Sequence, residues 1–320
     1  MVRKAGKEGY TIFHMSDLHY DGDNVEIFKQ VLDRLLEVAP EYIFITGDMV
    51  DNPGDDMEVP MVMVREAMRQ VEIEKGRRPI LKAVPGNHDF FYKGIYGVRR
   101  TKQFYRNFTE EERGSECFPD DLLIVCTFDS NRVMEPRGGM WRRFIQTCRP
   151  MTHGLVIERD MDNFSEWIRD AHQNIKESEY QSFLKVALVH HHPMPTRYNF
   201  LPKRADEGYM MLENAGVFIY RLIEEDFDLI LHGHRHYPQF CRAAYDNHEG
   251  KEKEIAVLAC GSSGKSLDDW IRVVGHNFNV IRVGADGSVV VQKYIKQGSG
   301  AFHPSLTTIT VRKPPRGKAS

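Results

Sequence analysis

Five short apolar runs set the framework of this chain: YTIFHM (10–15), YIFIT (42–46), PILKAV (79–84), FLKVALV (183–189) and FDLILH (227–232). They are continuous rather than alternating, the pattern of strands buried on both faces. Stretches of helical periodicity lie between them, namely VEIFKQVLDRLLEVA (25–39), VPMVMVREAMRQVEIEK (59–75) and YMMLENAGVFIYRLIEE (209–225). Strand and helix in alternation predict an α/β architecture. A second group of runs, LLIVCTF (122–128), EIAVLA (254–259), NFNVIRV (277–283) and SVVVQKY (288–294), adds further strands. The turn signal ADG between the last two predicts antiparallel pairing. Two sheets packed together and covered by helices account for the whole pattern.

Length and composition narrow the field. At 320 residues the chain can form one large domain or two small ones, and a single domain of this size buries a substantial core. The expected layout is a single domain over 1–300, with an insertion or cap around 93–165 and a flexible basic tail over 301–320. The insertion carries RRTKQFYRNF and the arginine-rich NRVMEPRGGMWRRFIQTCRP, and the tail ends in VRKPPRGKAS. A solvated face is the simplest reading of the arginines at 132–149, and contact with a substrate phosphate is the alternative. Net charge is −3 and mean hydropathy −0.47, which argues against a strongly electrostatic nucleic-acid binder. The five cysteines form no CxxC pair, so neither a thiolate metal clip nor a disulfide framework is expected. The basic start precedes only the short run TIF, unlike a secretory signal, and no run approaches the ~20 apolar residues of a membrane span. A cytoplasmic protein is the expectation, with no membrane partner.

Potential metal ligands follow each of the five apolar runs. In order they are SDLH (Asp17, His19), TGDMVD (Asp48), PGNHD (Asn87, His88, Asp89), HHHP (His190 to His192) and HGHRH (His232, His234, His236). Ligands in α/β sheets gather beyond the carboxyl ends of the strands, so these five ends should converge. The i, i+2 pairs Asp17/His19 and His234/His236 would share a face in extended chain. Glycines before Asp48, Asn87 and His234 permit tight turns and close backbone approach. His14 lies inside the first run and reads as a core histidine, and His232 as a packing or supporting residue.

The ordered set D-x-H, G-D, G-N-H-D, H-x-P and G-H-x-H resembles the calcineurin-like metallophosphoesterase superfamily, over Tyr10 to about Tyr294. That resemblance implies a four-layer αββα sandwich with two metal ions at the strand ends. It assigns Asp17, His19 and His236 to one metal, Asn87, His191 and His234 to the other, and Asp48 to a bridging position. His88 would be a catalytic residue, its charge steadied by Asp89. The family ligand after the fourth strand stands two residues before the proline, which selects His191; alternation then turns His190 and His192 away as supporting or packing residues. Asp, Asn and His ligands without thiolates suit Mn, Fe or Zn.

The implied reaction is in-line hydrolysis of a phosphoester by a metal-bound hydroxide. Serine/threonine protein phosphatases of the superfamily read GDxHG, GDxVDRG and GNHE, where this chain has SDLHY, GDMVDNP and GNHDF. The set is more similar to the phosphodiesterase branch, which includes cyclic-nucleotide phosphodiesterases. A small phosphodiester or nucleotide is therefore the expected substrate. Two other readings stay open: a nuclease acting on DNA or RNA, supported by the basic 93–149 region, and a metal-binding scaffold without turnover.

Overall fold

The computed structural model describes residues 9–52, 56–89, 91–94, 97–100, 103–131, 154–195, 211–246, 250, 252–265 and 274–312. The arginine-rich stretch 132–149 and most of PMPTRYNF lie outside the described residues.

In chain order the strands are β1 (Tyr10–Met15), β2 (Tyr42–Ile45), β3 (Ile80–Ala83), β4 (Phe91–Gly94), β5 (Gly97–Arg100), β6 (Glu116–Phe118) and β7 (Leu123–Phe128). They continue with β8 (Leu184–Val189), β9 (Leu229–His232), β10 (Phe240–Asp246), β11 (Glu252–Ala259), β12 (His276–Val283), β13 (Val289–Lys296) and β14 (His303–Arg312). One six-stranded sheet runs β14-β13-β12-β1-β2-β3 and the other β10-β11-β9-β8-β7-β6, while β4 and β5 form a separate hairpin. The continuous apolar runs are the parallel centres of these sheets: β1-β2-β3 in the first, β11-β9-β8-β7 in the second. β12 and β13 pair antiparallel across the ADG turn, as expected.

Period-two alternation sorts each central strand between layers. Phe13, Met15, Ile43 and Ile45 face outward onto Phe28, Val31, Leu32 and Leu35 of the helix Val25–Val38 and onto Val64, Met68 and Val71 of the helix Glu58–Lys75. Ile12, Tyr42 and Phe44 face inward, against Val125, Val186, Leu188, Leu229 and Leu231 of the second sheet. The opposite face of that sheet, with Ile124, Ala187, Val189 and Ile230, packs on Phe164 and Ile168 of the helix Glu158–Gln173 and on Phe218 and Leu222 of the helix Ala215–Glu224. Helix, sheet, sheet and helix therefore enclose three apolar layers, the expected αββα sandwich. Burial of about 25 cal/mol per Å2 of apolar surface across three such layers is the main force holding it.

Two boundaries differ from the sequence reading. The 93–165 stretch contributes β6 and β7 to the second sheet, so its middle belongs to the sandwich rather than to a cap. Residues 303–312, assigned to the tail, form β14 on the edge of the first sheet. The alternating LTTITV buries Val311 and half-buries Ile309, leaving the other side to water, and this amphipathic edge strand is easy to misread as solvated chain. Among the described residues no helix is long and apolar enough to cross a membrane.

Candidate metal centre

The loops after β1, β2, β3, β8 and β9 meet beyond the carboxyl ends of the two parallel blocks. Backbone hydrogen bonds lash the first two together: Asp17 N–H donates to Gly47 O and His19 N–H to Asp48 O, both at 3.0 Å. Asp17, His19, Asp48, His234 and His236 all have left-handed backbone, with φ between 45° and 77°. Asp and His tolerate this region better than most residues, and strained conformations gather at functional sites. The pairs Asp17/His19 and His234/His236 are thus brought together by turns, not by the extended alternation expected for them.

Backbone donors aim the acids. His234 N–H donates to both oxygens of Asp17, at 3.0 and 2.9 Å, and His88 N–H donates to Asp48 Oδ1 at 2.8 Å. Two glycines allow this approach. A Cβ on Gly86 would stand 2.0 Å from Asp48 Oδ1, and one on Gly233 1.9 Å from Ser16 Oγ and 2.3 Å from Asp17 Oδ2.

Three groups of ligand atoms result. Asp17, His19 and His236 form the first, with Asp17 Oδ1 3.4 Å from His236 Nε2 and 3.9 Å from His19 Nε2. Asp48, His190 and His234 form the second. Asn87 Oδ1 joins it, 3.1 Å from His190 Nε2 and 2.9 Å from His234 Nδ1. Asp48 Oδ2 lies between the two groups, 3.6 Å from His19 Nε2 and 3.3 Å from His190 Nε2. His19, Asp51 and His88 make a third group that shares His19 with the first.

The triple histidine resolves differently from the expectation. His190 Nε2 turns to Asp48 and Asn87, while His191 Nδ1 lies 2.7 Å from Ser130 Oγ and the His191 ring packs on that of His234, with centroids 4.4 Å apart. His192 stacks on the His234 ring at 5.8 Å. Alternation was the wrong guide because β8 stops at Val189 and the next residues bend. His190 Nδ1 meets Thr46 O at 2.7 Å; a carbonyl only accepts, so that nitrogen carries a proton and Nε2 is the atom turned toward Asp48 and Asn87.

Asp89 also takes another place. Its carboxylate accepts from the backbone N–H groups of Gly86 (2.8 Å), Asp48 (2.9 Å) and Met49 (2.8 Å), tying the β3 loop to the β2 loop. The group that steadies His88 is Asp51, whose carbonyl accepts from His88 Nδ1 at 2.6 Å. The Asp51 side chain meets His19 Nδ1 at 2.9 Å. One half-buried residue therefore orients two imidazoles, and its only signal was a second carboxylate three residues after Asp48 in TGDMVD. Ser130 and Thr46 left no sequence signal. His14 and His232 sit as expected: His14 Nε2 is 3.0 Å from Thr46 Oγ1, and His232 Nδ1 is 3.2 Å from Gly233 O.

Electrostatics follow from burial and pairing. Burial opposes charge on His19, but Asp17, Asp51 and Asp48 outweigh it and push the imidazole up to about 9. Burial likewise opposes charge on His190, and Asp48 and Asp17 overcome it, again to about 9. Burial holds His234 well below the usual histidine range, with His191, His190 and His192 adding to the effect; it also lowers His236 against the pull of Asp17. Burial pushes His14 down to about 3 and His232 to about 4.

The fold is shared with solved structures of low identity. A dimetal phosphatase from Danio rerio aligns over 95% of this chain and 99% of its own, with TM-score 0.55 and 10% identity. A purple acid phosphatase from yellow lupin (Lupinus luteus) seeds aligns at TM-score 0.55 and 13% identity over 96% of this chain, which spans 54% of the lupin protein. GAP50, the anchor in the inner membrane complex of Plasmodium, aligns at TM-score 0.51 and 10% identity over 95% of this chain and 89% of its own. No curated protein matches the sequence. The family signature of the calcineurin-like phosphoesterases matches residues 10–238, from β1 through His236, and so takes in every strand end that feeds the cluster; the chain belongs to that family.

Proposed function

We propose that this protein hydrolyses phosphodiesters at a two-metal centre, with Asp17, His19 and His236 holding one ion and Asn87, His190 and His234 the other. The observation that carries this reading is Asp48 Oδ2, lodged between His19 Nε2 and His190 Nε2 where one carboxylate can serve both ions. The residues fit such ions. His19 Nε2 and His236 Nε2 face each other at 2.9 Å, and His190 Nε2 and His234 Nδ1 at 3.1 Å. Two facing imidazole nitrogens can share only one proton, whereas a cation beside them takes both lone pairs. Nitrogen and oxygen donors without thiolate favour Mn, Fe or Zn. When bound, the pair supplies the positive charge that offsets charge building on the phosphoryl group and the leaving oxygen.

The chain's own groups do the rest. Asp51 O fixes the His88 ring by its Nδ1 proton, leaving Nε2 to hold or deliver a proton at the leaving oxygen. Asp89 keeps the two loops in register through its backbone donors and touches no reacting group in this reading. Among the described residues Cys117, Cys126, Cys241 and Cys260 form no disulfide with one another, which supports a reducing setting such as the cytoplasm.

Preference for a diester rests on the departures from the protein-phosphatase motifs, and a small nucleotide is the favoured substrate over a nucleic acid. The test sets Mn-loaded protein against bis-p-nitrophenyl phosphate, 2′,3′- and 3′,5′-cyclic nucleotides, single-stranded DNA and RNA, and a phosphoserine peptide. Small diesters should be cleaved fastest. A phosphopeptide preferred over every diester overturns the diester reading, and two bound metals with no turnover on any substrate overturn the catalytic one.

A further inference from the structure

A cavity of about 360 Å3 adjoins the metal centre and plays no part in holding it. It opens at the carboxyl ends of β3 and β7 and is walled on its far side by the helix Glu158–Gln173. Its size falls within the range of small-molecule sites, about 300–1,000 Å3. Pro85 lines it, and the next residue, Gly86, packs directly on Asp48. Asp129 lines it too, and the following Ser130 and Asn131 bond His191 Nδ1 (2.7 Å) and Pro85 O (2.7 Å). A substrate whose phosphate sits at the metals therefore has this cavity beside it.

The lining combines flat apolar surface with carboxylates. Tyr105, Phe164 and Trp167 supply ring faces, and Tyr105 and Trp167 are only partly buried. Asp129 and Asp160 supply acceptors, and Arg113 is the one cation among the described lining residues. Asp129 is held in place by Tyr105 O–H (3.2 Å) and Asn131 N–H (2.9 Å), and Arg113 is held over the Tyr105 ring at 4.9 Å. Aromatic faces favour a planar ring, and carboxylates with several lone pairs favour N–H donors on its edge.

We infer that this cavity binds the nucleobase of the substrate, a planar heterocycle with N–H donors, stacked on Trp167 and read by Asp160 and Asp129. The inference deepens the proposed phosphodiesterase activity, and its test needs no turnover. Equilibrium dialysis of the Mn-loaded full chain against free guanosine and purine riboside compares two purine nucleosides, of which only guanosine carries an exocyclic amine. Guanosine should bind saturably at one site and about tenfold or more tighter than purine riboside. Trp167→Ala should weaken both by about tenfold or more, in the range of a lost base–aromatic stack. Asp160→Asn, a milder change on a helix end, should close the gap between them while leaving metal content and melting temperature intact. Absence of saturable guanosine binding, or equal binding of both nucleosides to the unaltered protein, overturns the inference. Hydrolysis of bis-p-nitrophenyl phosphate, measured alongside, reports separately on the diesterase reading: a chain that cleaves it yet ignores guanosine loses only the nucleobase site.

Discussion

His190 Nε2 stands 3.3 Å from Asp48 Oδ2, with the proton of its other nitrogen committed to Thr46 O. That pairing makes His190, rather than its neighbour His191, the histidine placed to share a cation with Asn87 and His234. His190→Ala should lower metal content and cut activity by more than the roughly 10–100-fold typical of lost outer support. His191→Ala, which loses a contact to Ser130, should keep both metals. Elemental analysis of the two variants after Mn loading decides the register; a metal lost only from His191→Ala reverses the assignment.

Asp89 gathers the backbone donors of Gly86, Asp48 and Met49 between two loops. Removing its carboxylate strands buried N–H groups, at roughly 1–3 kcal/mol each. Asp89→Ala should therefore lower the melting temperature clearly and loosen metal binding as the Asp48 loop relaxes. A variant with unchanged thermal stability and normal metal content but low kcat would instead tie Asp89 to His88. Asp51→Ala keeps the backbone carbonyl that holds His88 and loses only the carboxylate on His19 Nδ1, so it should weaken metal binding with little loss of thermal stability.

Why some of this was legible and some not follows from the kind of signal involved. The central strands announce themselves because burial on both faces leaves no polar residue in YIFI or LKVALV except Lys185, whose ammonium reaches Glu225 O and the Tyr180 ring. The convergence of Asp17, Asp48, Asn87, His234 and His236 follows from topology, since parallel strands put their carboxyl ends together. What local pattern does not encode is the path of the chain once a strand ends. Alternation holds through Val189 and says nothing of the bend that turns His190 inward. The same limit hid the roles of Asp51 and Asp89, whose partners are backbone groups on other loops. β14 leaves little apolar pattern because most of its described residues face water.

Metal uptake should depend on pH with a definite sign. In the metal-free protein His19 and His190 hold their protons up to about 9, because buried carboxylates favour the charged imidazoles. Raised values mean that these two stabilise the fold fully below about 6.5, and that the contribution fades as pH rises through 9. His234, His236, His14 and His232 are lowered, so their contribution is present above about 6.5 and fades as pH falls. Metal-free protein should accordingly be most stable near neutrality. Cations must displace the protons on His19 and His190, so Mn affinity should climb between pH 6 and 9 with net proton release. A competition titration showing equal affinity at pH 6 and pH 8.5 contradicts this.

The last expectation separates two jobs for His88. Its Nδ1 proton is fixed on Asp51 O at 2.6 Å and its ring lies edge-on to that of His19, with centroids 4.6 Å apart. Nε2 is then the atom left to act, beside the residues that would hold the ions. If Nε2 gives a proton to the leaving oxygen, its value depends on how poorly that oxygen leaves as an anion. p-Nitrophenolate departs readily and a nucleoside alkoxide does not. His88→Ala should therefore retain both metals, lose about 10²–10⁴-fold in kcat/KM on a nucleotide diester, and lose far less on bis-p-nitrophenyl phosphate. Equal losses on the two would assign His88 to charge on the phosphoryl oxygens, a demand both reactions share. Loss of a metal would place it in the framework with His19, so metal analysis belongs beside the two rate measurements.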